Sequence, residues 1–154
     1  MLNYLFGGEK PADENENPEL AMREACDKHG EFQHNLDGTL KFEDYIIFRA
    51  IVMRQSCRMF APKKTELSVT KLAAFREKNQ QAYVESFRAG QAEFQKAMMT
   101  ITKKACEWIE LDQPNYQLTV RQYMEDNEKR QTLQVKDSEV RSALEAKEVT
   151  ETIK

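Results

Sequence analysis

The stretch Phe32-Gln33-His34-Asn35-Leu36-Asp37-Gly38-Thr39-Leu40-Lys41-Phe42-Glu43-Asp44-Tyr45-Ile46-Ile47-Phe48 decides how the rest of the chain is read. It divides into a polar stretch that contains Gly38 and a helix that begins near Phe42. That helix is expected to run to about Phe60, where Ala61-Pro62-Lys63-Lys64 breaks it. Tyr45, Ile46, Phe48, Ile51, Val52, Met53, Cys57, Met59 and Phe60 cover more than one narrow stripe of it, so more than one neighbour must bury it. Ahead of the loop, Asn17 caps and Pro18 starts a helix expected to reach about Phe32, with Leu20, Ala21, Ala25 and Phe32 on its apolar side.

Helix, loop and helix together resemble an EF-hand. Laid on Gln33–Asp44, the resemblance puts Gly38 at the turn and Leu40 at the apolar position that normally pairs with a second loop. Phe32 and Phe42 fall where hands carry aromatic packing residues. The ligand positions match less well. Asn35 and Asp37 offer oxygens, Thr39 a carbonyl, and Asp44 a carboxylate shorter than the usual final glutamate. Gln33 replaces the usual first aspartate and Lys41 brings a positive charge to the ninth position. Calcium affinity follows ligand charge and count, so the resemblance implies a degenerate hand whose loop is a structural turn, with no cofactor expected beyond weak calcium. Hands usually occur in pairs. Neither the residues before Pro18 nor those after Phe60 supply a second one, so the long helix, a second copy or another protein is expected to cover the apolar side.

From Ser68 to about Leu111 there is no proline and one glycine, Gly90. Phe87, Phe94, Ile101 and Trp108 repeat at seven residues, with Gln91, Met98 and Ala105 interleaved, a heptad-like, coiled-coil-type seam. The expectation is one helix roughly 60–65 Å long at 1.5 Å per residue. Asp112-Gln113-Pro114 breaks it and starts a returning helix, making a long antiparallel hairpin over 65–124, and a charged tail follows over 125–154. The tail's apolar residues thin out, so it is expected to be disordered alone or helical against a partner. At the other end, 7–17 read as a polar linker and Tyr4, Leu5 and Phe6 as an anchor for a groove.

Composition narrows the class of role. The chain has 154 residues, 40% hydrophobic and 32% charged, with five glycines and four prolines, which favours long helices over a many-turned β architecture. Its net charge of −3 hides a pattern: residues 9–31 hold eight acids and three bases, residues 49–104 hold twelve bases and four acids. A basic middle of this kind suits an acidic partner or proximity to a membrane surface. The bases are scattered around helices without a nucleic-acid motif, so no nucleic acid is expected. No run is long enough for a transmembrane segment.

Catalytic and metal chemistry find no constellation. Cys26, Cys57 and Cys106 are widely spaced and read as reduced thiols of an intracellular, reducing compartment. Cys26, His29 and His34 lack a fourth metal ligand, and no thiol has a base and an orienting group beside it. Gly7-Gly8 is followed by acids, which rules out a phosphate-binding loop. The expectation is an all-α, non-enzymatic accessory subunit of a large protein assembly, with a mitochondrial membrane complex slightly favoured over a ciliary one. Its partner contacts would be Tyr4, Leu5, Phe6, Ile46, Ile51, Met53, Phe60, Phe87, Phe94, Met98, Ile101 and Trp108. The competing expectation is a calcium-sensor or light-chain-like module.

Overall fold

Helix α1, Pro18–His29, starts where Asn17 accepts the Glu19 amide on its side chain at 2.9 Å, with Pro18 in the first turn. Gly30, at φ +93°, ends it three residues before Phe32. The face it buries carries Ala21, Met22 and Cys26, whereas Leu20 is left half exposed. The computed structural model describes residues 17–153, and side chains as far as residue 146. The anchor expected at Tyr4, Leu5 and Phe6 lies outside the described residues, as do the side chains of Val149 and Ile153.

Helix α2 runs unbroken over Phe42–Arg76, through Pro62. The break expected at Ala61–Lys64 is absent. A proline inside a helix removes one hydrogen bond and crowds the preceding turn, at a cost of about 3 kcal/mol. Here it lies on the exposed side, where water can serve the freed carbonyl, and packing holds the helix on both sides of it. Phe60 meets the Phe94 ring edge-on at 5.6 Å before the proline, and Leu67 lies 3.7 Å from where a Cβ on Gly90 would sit after it.

The real break is at Glu77-Lys78-Asn79. The Asn79 amide bonds the Ala74 carbonyl at 2.9 Å and the Lys78 amide bonds Phe75 at 3.1 Å, a Schellman closure with Lys78 left-handed at φ 57°. Asn79 then caps α3, Gln80–Trp108, by accepting the Ala82 amide at 3.1 Å. The single helix expected from Ser68 to Leu111 is therefore two helices, and the long antiparallel hairpin is α2 on α3. Small residues make that close approach: Ala74, Ser86 and Ala97 are buried between the helices, and Gly90 faces Leu67. A second Schellman closure ends α3, with the Leu111 amide on Cys106 at 2.9 Å and Glu110 left-handed at φ 59°.

Asp112 caps the returning helix α4, Gln113–Glu125, through the Asn115 amide at 2.8 Å, and Asp126 caps the tail helix α5, Asn127–Ile153, through Lys129 at 3.1 Å. The tail is helical against its own chain rather than awaiting a partner. Leu133 enters the core, and the Asp137 carboxylate forks onto the guanidinium of Arg49 of α2. Among the described residues the fold is all-α, five helices with one isolated antiparallel bridge. Its core gathers Met22, Cys26, Phe32, Leu40, Tyr45, Phe48, Val52, Ile101, Ala105, Cys106, Leu111, Tyr123 and Leu133 where α1, the loop and the lower halves of α2 and α3 converge.

Candidate functional site

The loop between α1 and α2 is a tight corner built by backbone and short side chains. The Asn35 amide bonds the Thr39 carbonyl at 2.7 Å and the Lys41 amide bonds Gln33 at 2.9 Å, producing the bridge between His34 and Leu40. Asp37 accepts the Thr39 hydroxyl at 2.6 Å and the Thr39 amide at 3.0 Å, which holds its carboxyl below the usual range. Gly38 is required twice over. Its φ is +88°, and an added Cβ would stand 2.7 Å from Nδ2 of Asn115 at the start of α4.

Leu40 is the contact point between the corner and the rest of the molecule. Because residues 35 and 41 use the inner side of the bridge, the amide and carbonyl of Leu40 point outward, fully buried. A bare strand edge of this kind normally pairs with another strand. Here α4 supplies side chains instead. Thr119 Oγ1 accepts the Leu40 amide at 3.2 Å and the Tyr123 hydroxyl donates to the Leu40 carbonyl at 2.5 Å. Tyr123 then stacks on Tyr45 with centroids 5.5 Å apart and tilts against Phe42 at 5.0 Å. The cover over the corner is thus within the chain, and comes from the returning helix.

Each residue expected as a weak calcium ligand is engaged in this closure. Asp44 accepts the Gln33 amide at 2.6 Å on one oxygen and meets His29 Nε2 at 2.9 Å with the other, tying the start of α2 to the end of α1. Asn35 donates to Thr39 Oγ1, the Leu40 carbonyl and the Tyr123 hydroxyl, and the Thr39 carbonyl accepts from Asn35. Calcium takes six to eight oxygens in an open cage. The donor set of this corner, with two carboxylates already hydrogen-bonded and Lys41 alongside, does not fit that ion.

The expected partner contacts divide into core and surface. Ile101 is fully buried and Met53 nearly so; both belong to this chain's core rather than to a surface that a partner could reach. Ile46 and Ile51 pack against that core, Phe60 and Phe94 meet each other, and Met98 is half-buried. Trp108 remains 42% exposed, yet its indole donates to Asp27 at 2.8 Å and the guanidinium of Arg23 lies 4.9 Å over its ring, fastening α3 to α1. Beside it opens a cleft of about 280 Å³ lined by Cys26, Asp27, Glu31, His34 and Glu110. Of the expected contacts among the described residues, Phe87 alone keeps half its surface free.

Phe87 belongs to an exposed apolar group that includes Leu72, Phe75 and Tyr83, which in sequence read as a drifting continuation of the heptad seam along a single helix. Val69, Leu72 and Phe75 of α2 and Tyr83, Val84 and Phe87 of α3 are all exposed, Phe75 by 70%. They account for six of the thirteen exposed large apolar residues of the described chain, within nineteen consecutive positions, Val69 to Phe87. The residues of α2 recur at three, and Phe87 follows Tyr83 and Val84 by four and three. Only the turn at Lys78 brings the two stripes side by side, and a lysine carries no local signal for a left-handed turn. No protein-family model matches this chain, and comparisons with curated proteins and with solved structures return no match.

Proposed function

We propose that this chain is a non-enzymatic accessory subunit of a larger protein assembly, in which a degenerate EF-hand-like corner holds a projecting helical hairpin at a fixed angle. The observation that carries the reading is the exposed apolar group near the end of the α2–α3 hairpin. An exposed cluster of this size on a small chain usually marks an interaction surface. Supporting it, the corner is over-determined: Asp44 bridges the helix ends, Gly38 abuts Asn115, and α4 closes the loop edge at Leu40. Bonding of this kind suits a clamp better than a metal switch.

Both buried thiols argue against nucleophilic chemistry. Burial, with Asp27 adding to it, pushes Cys26 up to about 11, and burial with Glu107 adding pushes Cys106 up to about 12. The test is gentle purification of the tagged chain from its native source, including a mitochondrial fraction. Migration at a size far above 18.0 kDa is the expected outcome. Migration as a lone compact monomer in every fraction would overturn the reading.

A further inference from the structure

We infer that the groove between α2 and α3 near the hairpin's end, lined by Ser68, Lys71, Leu72, Phe75 and Tyr83 with Phe87 beside Lys71, seats an amphipathic helix of a partner protein whose apolar face is flanked by acidic residues. The inference deepens the accessory-subunit reading and rests on it. Ser68, Lys71, Leu72 and Phe75 recur at three and four residues, so they share one face of α2; Tyr83 and Phe87 share one face of α3. The rings of Phe75 and Tyr83 approach to 6.4 Å across the hairpin, giving a shallow apolar floor between the two antiparallel helices. A helix laid between two helices completes the smallest stable bundle, and its anchors would fall at the same spacings.

Among the described residues the groove is lined by α2 and α3 alone. The ties of α5 to α2, Lys129 over Phe42 and Asp137 on Arg49, lie on the first turns of α2, well before Pro62.

Charge selects the occupant. Residues 63–88 carry six bases, Lys63, Lys64, Lys71, Arg76, Lys78 and Arg88, against three acids. Two of the acids are occupied nearby, Glu66 within 3.6 Å of Lys63 and Glu85 by the Gln81 amide at 3.2 Å. Lys71 stands at the middle of the groove, its ammonium 5.9 Å from the Tyr83 ring and 5.8 Å from the Phe87 ring. A second copy would bring this basic segment, with Lys71 at its groove, against itself, with like charges opposed. An anionic lipid surface offers charge without the helical spacing of anchors that Ser68, Lys71, Leu72 and Phe75 match, and the vesicles in the experiment test it. An acidic-flanked helix matches both shape and charge.

The experiment titrates the purified full chain with fluorescent helical probe peptides about four turns long. One probe carries leucines at helical spacing flanked by glutamates; its twin carries lysines in place of the glutamates. Vesicles of phosphatidylcholine and phosphatidylserine and a sedimentation measurement of self-association complete the set. The acidic probe is expected to bind saturably, at least about tenfold tighter than the basic one. Phe75→Ser and Lys71→Glu should each weaken it by about tenfold or more while the helical circular dichroism is unchanged. Equal binding of both probes, no binding, vesicle binding that Phe75→Ser abolishes, or dimerisation that Phe75→Ser abolishes would overturn the proposal. If the native chain migrates in an assembly that Phe75→Ser does not release, the groove proposal fails while the accessory-subunit reading stands. If the chain migrates alone, that reading fails whatever the probes do.

Discussion

Thr119 is where a single atom decides the corner. Its hydroxyl accepts from the buried Leu40 amide and donates to the Asn115 carbonyl at 2.7 Å, bonding both ways. Thr119→Val keeps the shape and removes the acceptor, leaving a buried donor unpaired, which costs about 1–3 kcal/mol. A urea midpoint lowered accordingly is the expected outcome; an unchanged midpoint would mean that water reaches Leu40. Much of this corner was legible in the sequence. The EF-hand resemblance puts Gly38 at a turn and Leu40 at a position needing cover, Asn17-Pro18 announces a capped helix start that the structure contains, and Pro114 announces a second start, which the structure caps with Asp112. What covers Leu40 was not legible, because Thr119 and Tyr123 lie 79 and 83 residues away and nothing local records such a pairing.

At the scale of the element, α2 and α3 show why the longest helices were misdivided. Local propensity put a break at Pro62 and none at Lys78. Tertiary contact reversed both, since packing on α3 outweighs one lost hydrogen bond, and a lysine takes a left-handed turn usually given to glycine. This conflict has a measurable consequence. Pro62→Ala restores a backbone bond in an exposed turn without disturbing a buried contact, and should raise stability by about 1–3 kcal/mol in thermal or urea unfolding. A destabilised variant would show that the helix depends on a bend at the proline. The reassigned turn also changes the seam: with α3 folded back, Ile101 serves the chain's own core, and the stripe left over is Leu72, Phe75, Tyr83 and Phe87.

For the molecule as a whole, protons and metal should act in opposite ways, the first strongly and the second hardly at all. Cys26 and Cys106 bind their protons more tightly folded than unfolded, with Tyr116 raised by burial to about 12 as well. Their contribution to stability is complete below the ordinary thiol value of 9.0 and is lost as pH rises through about 11 and 12. Urea midpoints should therefore hold steady from pH 7 to 9 and fall above it. Calcium tests the central claim most directly, since a hand that switches and a corner that clamps differ in what the ion does. The measurement is amide exchange at Leu40 together with Trp108 emission, in chelator and in about 1 mM calcium. A clamp gives a protected Leu40 amide and the same emission in both. A saturable micromolar response in either signal would show that the loop opens to metal and contradict the clamp.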